Sequence, residues 1–487
     1  MSKEVRELEP KALWNHFSDL NAVPRPSKKE ARVIQFIKEF GENLGLETFV
    51  DKIGNVIIRK PATKGMEDRT PIVMQSHLDM VHQKNNDTNF DFDSQGIDMY
   101  VDGDWVRARG TTLGADNGLG VASIMTILAS SEIQHPPLEA LFTIDEETGM
   151  TGAKELIDGY LKGKILLNLD TEDDDELTIG CAGGIDITAE RKYEESSLSG
   201  DGKGLKITVK GLSGGHSGMD IHKGLGNANK ILVRLLWGAT RNFGARVVSI
   251  DGGGLRNAIP REATSTVWVP QDRIELLKTW LNEQIAILKA EFATTDPNLN
   301  VLEESVGTPE KGLSQEDQGR MLGCLYSCPN GIYRMSPDIQ DLVQTSSNLA
   351  RVICGEGSFT AMCLTRSAVD SEKMDMAEAI RAAFQQWDCQ VTMDGAYPGW
   401  TPKPGAEIVQ IMADLYRERF KEEPKVLACH AGLECGIIGE HYPEMEMISF
   451  GPNIKGAHSP DERTQISSVQ KYWDFLLETL KRIPKAS

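Results

Sequence analysis

Ile72-Val73-Met74-Gln75-Ser76-His77-Leu78-Asp79 runs from an apolar strand, 72–75, into a polar tip. Short apolar strands of the same kind recur at 56–58, 138–143 and 165–169, and helical stretches at about 117–131 and 151–159 separate the last three strands. This alternation predicts an α/β layer with an at least partly parallel sheet. Upstream, helices are expected at about 10–21 and 27–44. Ser27 and Glu30 read as a capping box for the second helix, whose apolar stripe is Val33, Ile34, Ile37, Phe40 and Leu44.

Beyond Gly184 the texture changes to longer alternating strands, 204–210 and 264–269, with helices at about 226–240 and 272–294. Strand, helix and strand return around 340–394. This stretch reads as α+β and duplicated, and it ends in the Pro/Gly-rich linker 397–405. The α/β texture then resumes, with helices near 404–419, 431–439 and 466–482 around strands 425–428 and 445–450. The expected organisation is a catalytic domain split in sequence, 1–183 and 399–487, carrying an inserted α+β lid at 184–398.

The 487 residues carry 52 Lys+Arg against 72 Asp+Glu, a formal charge of −20. An acidic chain lacks the basic footprint that nucleic acid requires and does not steer polyanionic substrates. The charged start does not read as a signal peptide, and no apolar run has the roughly 18 residues of a membrane span. Eight cysteines without a C-x-x-C pair read as reduced thiols of a cytoplasmic protein.

Polar residues gather at the C-terminal ends of the expected strands, where open α/β sheets bind ligands. They are Ser76-His77-Leu78-Asp79, Leu113 to Gly118, Asp145-Glu146-Glu147, Asp170-Thr171-Glu172 and Gly456-Ala457-His458-Ser459. Asp116 alone would be a helix N-cap, and His77 alone a satisfied core histidine. Adjacent Glu146 and Glu147 repel unless a cation or proton intervenes. Histidines and carboxylates converging at one edge are what two divalent ions require, with a bridging carboxylate holding the ions about 3.5–4 Å apart. Asp173 to Glu176 reads as a solvated acidic turn, and Arg366, on residue type alone, as a surface ion pair.

These stretches, with Gly214-Gly215-His216-Ser217-Gly218 and Arg256-Asn257-Ala258-Ile259-Pro260-Arg261, make the sequence resemble the M20 metallopeptidases, and within them the aminoacyl-histidine dipeptidase branch. The resemblance implies that His77 and Asp170 bind one metal, Glu147 and His458 the other, and Asp116 both. It makes Glu146 the general base and Asp79 the partner of His77, and gives His216 to the oxyanion. Asn257 and Arg366 would hold the substrate carboxylate, with Gly432 beside the substrate in the catalytic domain. The metals would be zinc, with cobalt or manganese compatible, and the substrates unblocked dipeptides.

The lid, about 215 residues long, is roughly double the βαββαβ unit of dimeric relatives in which a partner chain lends the oxyanion histidine. This implies a site completed in cis, whether or not a homodimer forms. Rival activities on the same scaffold are an aminotripeptidase, an acylase or a desuccinylase. A catalytically silent metal- or peptide-binding protein is a further alternative.

Overall fold

A computed structural model describes residues 3–85 and 87–486. It divides into two compact units. The first holds the described residues up to Gly180 with Trp400–Ala428 and those from Leu433 onward; the second holds Cys181–Gly399 and Cys429–Gly432. The expected boundary at 399 therefore misses one short return of the chain. Residues 429–432 join the second unit because the Ala182 N–H donates to the carbonyls of Cys429 (3.1 Å) and Ala431 (3.0 Å).

The first unit is built on an eight-stranded mixed sheet in the order Glu47–Val50, Val56–Lys60, Leu138–Thr143, Ile72–His77, Ile165–Asn168, Glu446–Ser449, Glu176–Cys181, Lys425–Cys429. Ile72–His77 runs parallel to Leu138–Thr143 and to Ile165–Asn168, which in turn runs parallel to Glu446–Ser449. Every residue of the strands Ile72–His77, Leu138–Thr143 and Ile165–Asn168 is buried. Continuous apolar runs of this kind belong to parallel sheets covered on both faces. The register pairs Gln75 with both Leu141 and Asn168, and Asn168 with Ser449, so the C-terminal ends are level. Residues following these strands consequently emerge along one edge.

Helix Ala31–Asn43 corrects the capping-box expectation. Its N-cap is Glu30, without a side-chain cap bond. Ser27 Oγ donates instead to Asp79 Oδ2 (2.8 Å), and Glu30 Oε1 accepts from the N–H groups of Lys28 (2.8 Å) and Asp145 (3.2 Å). Both side chains serve the strand-end loops rather than the helix. The helix expected at 151–159 is only Thr151–Lys154.

The second unit is built on a nine-stranded antiparallel sheet. Its main path is Asn300–Val306, Gly202–Lys210, Ala263–Pro270, Arg246–Gly253, Val343–Gly355, Ser358–Ser367, Gly183–Lys192, Gln390–Tyr397, with Gly331–Met335 paired to Val343–Gly355. Strand Gly202–Lys210, helix Ala228–Phe243, two strands, helix Ile274–Glu291 and strand Asn300–Val306 form one βαββαβ series. Gly183–Lys192, helix Gln315–Ser327, strands Val343–Gly355 and Ser358–Ser367 with the additional strand Gly331–Met335 before them, helix Asp370–Gln385 and Gln390–Tyr397 form a second series, into which the first is inserted. Arg246–Gly253 of one series pairs with Val343–Gly355 of the other.

Candidate active site

The level strand ends of the first unit bring His77, Asp116, Glu146, Glu147, Asp170 and His458 together. His77 turns Nε2 toward Asp116 Oδ1 (3.1 Å), Asp170 Oδ1 (3.5 Å) and Glu146 Oε2 (3.9 Å). His458 Nε2 lies 3.2 Å from Asp116 Oδ2 and 3.0 Å from Glu147 Oε2. Asp116 thus presents one carboxylate oxygen to each histidine. Candidate ligand atoms of His77, Asp116 and Asp170 lie within 4.8 Å of one another, as do those of Asp116, Glu147 and His458.

Among the described residues Glu147 Oε1 and Asp170 Oδ1 are buried and make no hydrogen bond, His77 Nε2 standing 3.5 Å from the latter. Acceptor atoms left bare inside a cluster of acids are expensive unless a cation faces them. Imidazole and carboxylate donors suit divalent zinc, cobalt or manganese. The residues present therefore fit a pair of divalent cations sharing Asp116.

Asp79 organises one side of this cluster. Its carboxylate accepts from Ser27 Oγ, from the N–H of Glu146 (3.0 Å) and from that of Glu147 (3.3 Å), and lies 3.3 Å from His77 Nδ1. The Asp79 carbonyl is also 3.2 Å from His77 Nδ1. Facing two acceptors, Nδ1 carries the ring proton and leaves Nε2 as an electron-pair donor. Buried Arg25 donates to the carbonyls of Leu78, Asp79 and Gly114, joining the two loops.

The electrostatics follow from burial and crowding. Burial pushes Glu146 well above the usual carboxylate range, helped by Asp170 and Glu147 and opposed by His77. Burial likewise lifts Asp170 to about 6 and Glu172 to about 8. Desolvation works against a charged His77, yet Asp170, Asp116 and Asp79 outweigh it and hold the ring well above its ordinary value. His458 is raised to about 11, first by its hydrogen bonds to Asp116 and Glu147.

The acidic run at 173–176 is no ligand set. Asp173, Asp174 and Asp175 pair with Lys455, Lys471 and Lys425 respectively.

In the second unit, His216 sits in the short strand Gly215–His216, paired with Ala258–Ile259, which places Asn257 on the adjoining turn. The N–H groups of Gly218 (3.2 Å) and Met219 (3.0 Å) both donate to His216 Nδ1. Nδ1 is therefore an acceptor and the ring proton is on Nε2, a neutral donor. Burial and then Arg366 lower the His216 pKa, keeping the ring neutral.

Arg366 is not the surface ion pair that residue type suggests. It is 5 % exposed, its Nη1 donates to Tyr397 Oη (2.9 Å), and its Nε has no hydrogen-bond partner among the described residues. Among the described residues no carboxylate pairs with it. A Cβ on Gly218 would run into the carbonyl of His430 and lie 3.1 Å from Arg366 Nε, so only glycine lets the His216 turn approach so closely. Gly432 ends the returning segment that contains His430.

Three residues escaped the sequence reading. Glu462 accepts backbone N–H groups from the Asp116 loop. Glu434 is fully buried, bonded to Gln75 and Thr143. His430, pushed down to about 3 by burial and Arg366, lies 2.7 Å from Ser346 Oγ. The signal for the first was its position four residues after His458; for the other two it was the segment 429–434, which carries both.

A half-buried carboxylate and imidazole set that fits two divalent cations, at the strand ends of an α/β sheet, is a candidate dinuclear metal centre. The chain belongs to peptidase family M20/M25/M40, whose model matches residues 73–482. It is 43% identical over 481 residues to the cytosol non-specific dipeptidase of Escherichia coli (strain K12), covering 99% of each chain. It also superposes on the crystal structure of aminoacylhistidine dipeptidase from Vibrio alginolyticus with a TM-score of 0.95 at 43% identity, covering 100% of this chain and 99% of that one. An aminopeptidase from Bacillus cereus, 16% identical with a TM-score of 0.57 over 98% and 99% of the two chains, shares the fold.

Proposed function

We propose that this chain is a metal-dependent dipeptidase that hydrolyses unblocked dipeptides, Xaa-His dipeptides such as β-alanyl-histidine among them. The observation that carries the reading is the sharing of Asp116 between two groups of potential ligands, in a chain 43% identical to dipeptidases over its full length. His77 and Asp170 hold one ion, Glu147 and His458 the other, and Asp116 both; zinc is the first choice for this donor set. Bound there, the ions supply Lewis-acid polarisation of the scissile carbonyl and lower the pKa of the attacking water.

The chain's own residues do the rest. Glu146, held by burial at a raised pKa, takes a proton from the attacking water and passes it to the leaving amine. Asp79 fixes the His77 tautomer. His216 donates its Nε2 proton to the developing oxyanion, and Arg366, with Asn257, binds the substrate's C-terminal carboxylate. Gly432 lets the substrate backbone approach. A buried guanidinium without a carboxylate partner supports the clamp, and a clamp at that end sets peptide length.

His216 belongs to the inserted βαββαβ series and Arg366 to the outer one, yet the His216 turn packs on Arg366 within one chain. With the oxyanion donor and the carboxylate clamp side by side in the second unit of one chain, we infer a site completed in cis, whether or not a cytoplasmic homodimer forms. Turnover per subunit that stays constant as the protein is diluted through dissociation is the expected result.

Glu146→Gln tests the mechanism. A drop in kcat of about 10²–10⁴-fold with metal content unchanged is expected; unchanged hydrolysis would sink it. Tripeptides cleaved as efficiently as dipeptides would favour an aminotripeptidase instead.

A further inference from the structure

His458 and Asp116 are far apart in sequence, and one side chain ties their loops together. Glu462 is 2 % exposed. Its Oε2 accepts from the N–H groups of Leu113 (2.6 Å) and Gly114 (2.9 Å), and its Oε1 from those of Ala115 (2.8 Å) and Asp116 (3.2 Å). Four consecutive N–H groups converge because Gly114 is left-handed (φ 70, ψ 31), at the start of helix Ala115–Ala129. A carboxylate filling such a concavity both satisfies the open helix end and fixes the turn.

The other end of Glu462 is equally anchored. Its own N–H donates to the Ser459 carbonyl (3.0 Å), and the Ser459 N–H to that of Gly456 (3.2 Å), closing the turn that carries His458 at φ 65. Strand Arg463–Gln465 follows directly and pairs with Trp105–Ala108. The His458 turn is thus fixed to a sheet on one side and to the Asp116 turn on the other.

We infer that Glu462 is a positioning residue for the metal position formed by Asp116, Glu147 and His458, holding His458 against Asp116 before any ion arrives. The inference rests on the dinuclear reading above. The other position shares Asp116, but its remaining residues, His77 at the end of one strand of the main sheet and Asp170 just beyond the adjacent one, are fixed by the sheet itself, whereas among the described residues nothing but the Glu462 turn fixes His458. Loss of Glu462 should therefore unload one of the two positions selectively.

Chelator-stripped wild-type protein and Glu462→Gln are titrated with Co²⁺, following its visible absorbance. In the glutamine variant one carboxylate oxygen becomes an NH₂ group facing two N–H donors, so at least two of the four bonds are lost. Glu139→Gln is the control. Glu139 is also a buried carboxylate of the first unit and accepts from two backbone N–H groups, those of Lys162 and Gly163.

Wild type is expected to bind two equivalents. In Glu462→Gln one equivalent should weaken about 10–100-fold while the other stays within about twofold, and Glu139→Gln should match wild type. Two equivalents bound at wild-type affinity by Glu462→Gln, or equal weakening of both, would overturn the inference. So would the same loss in Glu139→Gln. Fewer than two equivalents in wild type would instead overturn the dinuclear reading. Glu462→Asp keeps the charge and shortens the reach; it should show the same selective loss if the glutamine variant does not fold, and unchanged binding there would equally overturn the inference.

Discussion

Replacing Glu434 with glutamine should stabilise the metal-free protein increasingly as pH rises. Glu434 is 0 % exposed at the start of helix Glu434–His441. Its Oε2 accepts from Gln75 Nε2 (2.7 Å) and Thr143 Oγ1 (2.6 Å), while Oε1 has no hydrogen-bond partner among the described residues. Burial, reinforced by Asp170 and Asp79 and opposed by His77 and Thr143, lifts the acid from 4.5 to about 8.

The folded protein therefore keeps a proton that the unfolded chain releases once pH exceeds 4.5. The native state binds more protons, so stability falls with pH until the folded pKa is passed. Holding the acid neutral costs about 1 kcal/mol at pH 5 and about 4 kcal/mol at pH 8. Glutamine has the shape of the protonated acid and carries no such cost. The difference in urea-unfolding free energy between Glu434→Gln and wild type, both chelated, should grow by about 3 kcal/mol from pH 5 to pH 8. A flat difference, or one that shrinks, would mean that Glu434 is ionised in the fold and adds a further negative charge to the site.

Asp79→Ala removes the partner of His77 and the acceptor of two loop N–H groups, and should lower metal affinity or kcat about 10–100-fold; equilibrium dialysis and steady-state kinetics check it. Arg366→Met should raise KM for an unblocked dipeptide about 10–100-fold, the loss of a charge-assisted bond. It should leave a C-terminally amidated dipeptide, poor with both proteins, unaffected. His216→Ala should cut kcat about 10²–10³-fold with KM little changed, as expected for a group that bonds only the oxyanion.

The core of the candidate site was legible because its members stand at the ends of apolar strands, where a polar residue has no packing role. His77, Asp79, Glu146, Glu147 and Asp170 all follow or end such strands, and parallel pairing makes their convergence unavoidable. The supporting residues were not legible, since their partners are remote in sequence. Ser27 looked like a helix cap three residues before a glutamate, but its hydroxyl meets Asp79. Glu462 stands beside Asp461 and reads as surface charge; only folding brings the 113–116 turn to it. Glu434 opens a helix, where an acid is ordinary, and nothing local reveals that helix Glu434–His441 buries it. The segment 429–432 was assigned by continuity along the chain, whereas its carbonyls accept from Ala182 across a long loop of sequence.

Metal content set against dipeptide hydrolysis tests the central claim most directly. Two divalent ions per chain are expected in active protein, with β-alanyl-histidine hydrolysis lost on chelation and regained only as the second equivalent of Zn²⁺ is restored. Full turnover by metal-free protein, or saturation of both metal positions without any dipeptide hydrolysis, would contradict it.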